Sequence, residues 1–313
     1  MERSVLMPVW PVKFFHLYLI GTVTGLATVY LTLVDRIGNE SLFGNGCLFW
    51  GGCLYLLWQK RRDFSFGSDP VSSIIGLLIV ALVLVRTVSL PTEAMLLAFP
   101  FFSVLGIALL SSGWRRVGQF KNPLLILFFL GLPQLLIGAF FDISVITAKV
   151  SAFMLWYTGF DVVLRGVFIY LPGGSIEVYK GCSGLGNMLY MLGISVMFSV
   201  FLPISRSKRI LAVCVAVGLG FFINAIRVAL LAVLVANSTE AAFDYWHLGG
   251  GSLIFSMLTV MVFGCFYILL IKWQTRKRYK GESFSDSFSD IGLMDDWDLV
   301  EDRDLVEPQK IDL

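Results

Sequence analysis

The sequence predicts an all-α membrane protein, a polytopic bundle of about eight transmembrane helices with one further helix lying at the interface over 143–160. Three observations predict it. Of the 313 residues, 57% are hydrophobic and only 15% charged, with a mean hydropathy of +0.80, outside the composition of soluble globular domains. Apolar stretches recur along the chain at the length of about 20 residues that one bilayer crossing requires. Finally, Lys and Arg gather in alternate connections, as they do in proteins that weave back and forth through a membrane.

Met1–Lys13 is short, mixed and interrupted by Pro8 and Pro11. It lacks the pattern of a cleavable signal peptide, and the first span is expected to be its own insertion signal. Spans are expected near 14–34, 42–58, 71–90, 94–112, 123–141, 182–202, 210–236 and 250–272. Residues 143–160 differ: Asp142, Lys149 and Asp161 punctuate an apolar run that holds Trp156 and Tyr157, the mark of a helix at the membrane surface.

Charge in the connections sets the count. The basic connections are Lys60-Arg61-Arg62, Arg115-Arg116 with Lys121, Arg206 with Lys208-Arg209, and Lys272 with Arg276-Lys277-Arg278. Eight spans put all four on the cytoplasmic face with both termini, whereas a ninth would send the two later clusters outside. The opposite face then receives Asp35-Arg36 with Glu40, the turn Pro91-Thr92-Glu93, the loop into Cys182 and the connection from Asn237 to His247. The expected location is a plasma or inner membrane, crossed many times.

Residues 1–280 form one transmembrane unit, and 281–313 form an acidic tail with eleven Asp or Glu against Arg303 and Lys310. The tail alternates Ser, Phe and acidic residues without an apolar helical face and is expected to be a disordered cytoplasmic segment. The five cysteines, Cys47, Cys53, Cys182, Cys214 and Cys265, form no CxxC pair, which argues against a disulfide framework and a zinc site. With no GxGxxG, no P-loop and no paired acidic motif, nothing implies a metal, a cofactor or a nucleic-acid partner.

The segment around which the chain is organised is Glu177-Val178-Tyr179-Lys180-Gly181-Cys182-Ser183-Gly184-Leu185-Gly186-Asn187, a polar entry into the sixth span. A thiolate is favoured at a helix start or beside a cation, and Cys182 is offered both. Gly181, Gly184 and Gly186 permit a tight turn and the close approach of a peptide, while the first amides of the span can bind an oxyanion. The other four cysteines read as small buried apolar residues.

Arg227 lies nine residues before Ala236 in the seventh span, about 13 Å deep, where a charge needs a partner or a wet cavity. Asn224, three residues earlier on the same face, can bond the guanidinium or a substrate backbone. His247, in Asp244-Tyr245-Trp246-His247 ahead of Leu248-Gly249-Gly250-Gly251, sits where a histidine can move protons near neutral pH. His16 reads as an ordinary interfacial residue. Cys182, Arg227 and His247 are therefore the candidate catalytic residues, and Asn224, Ser183, Gly184 and Asn187 the candidate substrate-binding ones.

Gly181-Cys182-Ser183-Gly184 opening a span, Asn224-Ala225-Ile226-Arg227 in the next and His247 before the last together resemble the exosortase/archaeosortase family of membrane cysteine proteases, with cyanoexosortases the most similar subgroup. The likeness in layout covers about residues 70–272 and is most specific over 177–250. It implies cleavage, by hydrolysis or by transfer to an acceptor, of secreted proteins that end in a PEP-CTERM type of sorting signal: a short motif, a transmembrane helix and a basic cluster. It also implies an active site facing the extracytoplasmic side, with membrane lipid around it. On this likeness Cys182 matches the nucleophile, Arg227 the arginine of an Asn-x-x-Arg motif and His247 the third catalytic position. Gly181 stands where alanine is more usual in the family, and the acidic tail lies outside the shared core.

Other function classes remain open on the sequence alone. A transporter also places an Arg in a membrane cavity, but with helices interrupted near the midplane, whereas the glycine clusters here lie at span starts. An assembly protein docking through its tail would survive loss of Cys182. A lipid or sugar acyltransferase would share the thiol and the histidine.

Overall fold

The computed structural model describes residues 12–88, 92–247 and 249–289. Within that range each of the eight expected spans forms a helix: α1 (Val12–Ile37), α2 (Glu40–Gln59), α3 (Pro70–Val88), α4 (Glu93–Arg116), α5 (Lys121–Gly138), α7 (Leu185–Phe201), α8 (Arg206–Asn237) and α10 (Gly250–Ser289). The bundle is thus the expected all-α membrane architecture. Among the described residues six helical stretches, α2 not included, are long and apolar enough to cross a membrane, and one of them, Glu93–Gly138, is folded back on itself. Its 46 residues are about twice the length of one crossing. Gly113 breaks the helix with φ 70, and a 3-10 turn at Val117–Phe120 carries the chain into α5.

Helix starts follow their capping residues. Asn39 accepts from the Leu42 amide at 2.9 Å and Thr92 from the Met95 amide at 3.3 Å, so each satisfies one of the amides that a helix N-terminus leaves unpaired. Asp142 does the same ahead of α6 (Ser144–Tyr157), accepting from the Ser144 amide at 2.9 Å and its hydroxyl at 2.6 Å. Those two bonds hold the Asp142 carboxyl below the usual carboxylate range. With 14 residues, α6 is about 21 Å long and too short to cross. It turns Ala148, Ala152 and Leu155 inward and leaves Val145, Ile146, Phe153 and Trp156 exposed.

The segment between α6 and Cys182, expected to be a loop, is instead a small antiparallel sheet. β1 (Val163–Arg165), β2 (Phe168–Leu171) and β3 (Gly174–Glu177) pair in the order β1-β2-β3. The turns are two residues each, Gly166-Val167 and Pro172-Gly173, as the partners Arg165↔Phe168 and Leu171↔Gly174 require. One face of the sheet carries Ile169 and Leu171 into a core shared with Ala148, Ala152 and Leu155 of α6 and Val228 and Ala232 of α8. The sheet and α6 are thereby fastened to α8 by apolar burial.

The last short helix, α9 (Glu240–His247), precedes α10. The chain divides into two units, Met1–Phe263 and Gly264–Leu313. The first holds every residue of the candidate site. The second continues α10 to Ser289. Five expectations fall wholly or partly outside the described residues: the reading of Met1–Lys13 (1–11), the end of the span 71–90 (89–90), the turn at Pro91, Leu248 after the histidine, and the acidic tail from 290 onward.

Candidate active site

The strand β3 delivers Val178 and Tyr179 to a 3-10 turn at Lys180–Cys182, closed by the Cys182 amide donating to the Tyr179 carbonyl at 2.9 Å. Gly184 follows with φ 86, and α7 begins at Leu185. No other residue fits at 184. The left-handed backbone disfavours a side chain, and a Cβ there would stand 2.6 Å from Nδ2 of Asn224.

That close approach serves a hydrogen bond. Asn224 donates its side-chain amide to the Cys182 carbonyl at 2.9 Å, and Asn187 donates to Asn224 Oδ1 at 3.3 Å. From the other side α6 contributes Thr147, whose hydroxyl donates to the Ser183 carbonyl at 2.6 Å, and Ser151, which donates to the Ala225 carbonyl at 2.9 Å. The backbone beneath the thiol is therefore held by α6 and α8 together, and its buried carbonyls are paired as buried polar groups must be.

His247 ends α9. Thr239 starts that helix by accepting from the Ala242 amide at 3.3 Å, and Phe243 packs its ring 5.0 Å from the imidazole. Arg227 donates through Nη2 to the His247 carbonyl at 2.8 Å, while its Nε has no partner. The result is a convergence of groups distant in sequence. Cys182 Sγ lies 3.4 Å from His247 Nε2, within hydrogen-bond reach for sulfur, and the Tyr179 hydroxyl lies 3.5 Å from the same nitrogen. Tyr179 is also hydrogen-bonded to Cys182, and chiefly for that reason its phenol is pushed up to about 12, with partial burial adding to the effect. It therefore stays protonated, and so a donor, across the physiological range.

A cavity of about 530 Å³ opens onto the pair. Cys182, Arg227 and His247 line it, with Glu40, Glu93 and Gln134 facing them from the ends of other helices. Gln134 Oε1 is buried without a hydrogen-bond partner. Gly184, Asn187 and Asn224 also line the cavity, although Asn187 and Asn224 spend their amides on each other and on Cys182. Ser183 does not line it. Its side chain is fully buried and donates to the Lys180 carbonyl at 2.7 Å, so it shapes the turn where the sequence reading had it facing a substrate. Among the described residues no three of His, Cys, Asp and Glu form a metal-binding group.

Chemically, a thiol beside an imidazole, with a phenol and a guanidinium within the same shell, is an arrangement for nucleophilic attack with proton exchange. Tyr179, Thr147, Ser151, Glu40, Glu93 and Gln134 were not singled out from the sequence. For Tyr179 alone a signal existed, its place three residues before the cysteine in a turn.

Residues 37–264 match the family described as transmembrane exosortase (Exosortase_EpsH). A protein of Methanocaldococcus jannaschii described as "Probable archaeosortase E" is 28% identical over 109 residues, which is 35% of this chain and 56% of that protein. The match thus spans little more than half the length of that relative. No solved structure matches the chain. With a family match over nearly three quarters of its length and a helical membrane bundle to carry it, the chain belongs to the exosortase/archaeosortase family of membrane proteins.

Proposed function

We propose that this protein is a membrane-embedded cysteine protease or transpeptidase that cleaves C-terminal sorting signals of the PEP-CTERM type from secreted proteins, on the extracytoplasmic side, through an acyl-enzyme. The observation that carries the reading is the 3.4 Å contact between Cys182 Sγ and His247 Nε2 at the edge of a polar cavity. In this mechanism His247 takes the thiol proton and the Cys182 thiolate attacks the scissile carbonyl. The tetrahedral oxyanion is stabilised by the Arg227 charge and by the first amides of α7. His247 then returns the proton to the leaving amine as the C–N bond breaks, which leaves a thioester on Cys182. Water or the amine or hydroxyl of an acceptor attacks that thioester, gives its proton to the imidazole and frees the sulfur. Asn224 and Asn187 act by holding the Cys182 carbonyl.

The test uses a reporter protein ending in a PEP-CTERM sorting signal, co-expressed with the full chain. Wild type is expected to remove the signal. Cys182→Ala, inserted and expressed to the same level, is expected to lose at least about a thousandfold in rate, the scale seen when a covalent nucleophile is removed. A Cys182→Ala protein that still processes the reporter ends the proposal. A peptide adduct trapped on Cys182 separates this reading from a transporter, an assembly protein and a lipid or sugar acyltransferase.

A further inference from the structure

A second cavity, of about 330 Å³, lies on the other side of the thiol–imidazole pair. Five consecutive residues of the strand region, Ser175 to Tyr179, line it. A sheet face would offer only alternate residues, so the cavity runs along an edge. That edge is unpaired, because β3 is the terminal strand of the sheet. The Val178 amide donates to the Val167 carbonyl at 2.9 Å in line with the register Phe168↔Glu177. The alternation of an antiparallel ladder therefore turns the peptide groups of Ser175 and Glu177 away from β2 and into the cavity.

The floor is a stripe of α8, Val228, Leu231 and Val235, and the far wall is Phe243 and His247 of α9. Cys182 stands at its inner end. The outer end is fixed by Gly173 and Gly174, where a Cβ would stand 2.7 Å from the Ala236 carbonyl and 2.9 Å from the Val235 carbonyl. β3 thus descends α8 toward the sulfur.

We infer that this groove binds the segment of the substrate immediately before the scissile bond as a fourth strand, parallel to β3, with alternate apolar side chains resting on Val228, Leu231 and Val235. The inference rests on the cysteine-peptidase reading above and deepens it. From Val228 to Val235 is about 10 Å of helix rise, which an extended chain covers in about three residues. The unpaired amides and carbonyls of an edge strand call for a partner with its own peptide groups, which a lipid chain lacks. A second copy of the chain is disfavoured because the groove opens on the reacting sulfur, and its occupant is therefore the molecule being cut. Cys182, Tyr179 and His247 line both cavities. The acyl side of the substrate then lies along β3, and the leaving segment enters the larger polar cavity.

The experiment uses the full-length protein with the sorting-signal reporter. Glu177→Pro removes an outward amide without touching a bond to β2, and Leu231→Trp fills the groove. Each is expected to slow processing at least about tenfold, the effect of losing one or two good hydrogen bonds or an apolar subsite. Arg165→Ala, an exposed change on β1 that lines neither cavity, stays within about twofold of wild type. Iodoacetamide labelling of Cys182 is unchanged in all three. In a second arm, Val235→Cys in a Cys182→Ala background forms a disulfide with a cysteine scanned through the ten or so residues before the reporter's transmembrane helix, which are within reach of an extended strand. That crosslink needs no turnover and decides the matter where a variant fails to insert. Wild-type rates in both Glu177→Pro and Leu231→Trp, or crosslinks from Val235→Cys to a second copy or to a photoactivatable lipid instead of the reporter, overturn the groove and leave the peptidase standing. A processing-competent Cys182→Ala overturns both.

Discussion

Asn224 and Arg227, one helical turn apart on α8, grip the backbone carbonyls of the two residues whose side chains meet: Asn224 holds that of Cys182 at 2.9 Å and Arg227 that of His247 at 2.8 Å. The spacing of three residues puts both on one face with a rise of about 4.5 Å. A single rigid helix thereby sets the separation of the thiol turn from the histidine helix. The partially buried guanidinium that the membrane makes expensive is occupied on one arm and still carries its full charge beside the cavity.

Arg227→Lys is expected to lower reporter processing about a hundredfold, because an ammonium cannot hold the His247 carbonyl and face the cavity at once. Iodoacetamide labelling of Cys182 should persist, since the Asn224 contact is intact. A near-normal rate measured for Arg227→Lys would reduce Arg227 to a structural tie.

Tyr179→Phe keeps the ring and removes the hydroxyl that lies 3.5 Å from His247 Nε2. Its bond to the sulfur is strongest once the thiol has lost its proton, and a hydrogen bond to a charged group is worth about 1.5–3 kcal/mol. The expected loss is about 10- to 150-fold, read as the single-turnover rate of the reporter. A rate within twofold would show that the phenol only fills space.

Gly184 and Asn224 make a coupled pair. Gly184→Ala forces a Cβ to 2.6 Å from Asn224 Nδ2 and strains a left-handed backbone by about 1 kcal/mol. Asn224→Ala leaves the Cys182 carbonyl unpaired at about 1–3 kcal/mol. Shortening Asn224 removes the two closest contacts of the added methyl and leaves only the Cβ of residue 224 at 3.0 Å, so the double variant is expected to lose less stability than the two single changes combined. Thermal unfolding in detergent of the three variants and wild type closes the cycle, and strict additivity would mean the turn relaxes away from α8 without Asn224.

What could be read from the sequence follows from how local each signal is. The spans were legible because an apolar run of about 20 residues needs no partner to be recognised. Lys149 and Asp161, at either side of Trp156 and Tyr157, sufficed to set 143–160 apart from the spans, and α6 is a helix of only 14 residues. Cys182, Arg227 and His247 could be brought to one membrane face by counting crossings, since glycine and aromatic residues flagged their surroundings. The sheet was missed because strands of three and four residues carry almost no periodicity, although Pro172-Gly173 is a good hairpin turn. Thr147 and Glu93 acquire meaning only through partners on other elements, 36 residues away for the threonine, and no spacing rule reaches that far; Tyr179 stands beside the cysteine in sequence, but its histidine partner is 68 residues on. Ser183 was misread because its neighbours are site residues, while its own hydroxyl closes the turn.

Thr147 offers the sharpest separation of scaffold from chemistry. Its hydroxyl donates to the Ser183 carbonyl at 2.6 Å, and Thr147 is fully buried, so Thr147→Val removes the donor at nearly constant volume and leaves a buried carbonyl unpaired. The cost is about 1–3 kcal/mol, expected as a lower unfolding temperature in detergent and a processing rate reduced by no more than about tenfold, since no atom that touches substrate is lost. The same helix is set by Asp142, whose depressed carboxyl pKa fixes the sign of a pH effect. A group held below its unfolded value stabilises at pH above the ordinary carboxylate range, and the benefit fades as pH falls through the lowered value. Because Asp142 is exposed, that benefit is small. Asp142→Asn should therefore reproduce a mild version of the Thr147→Val destabilisation at neutral pH, and the gap between Asp142→Asn and wild type should close on acidification. If the gap instead persists below the carboxylate range, the negative charge is not what starts α6, and Asp142 acts there only through its hydrogen bonds to Ser144.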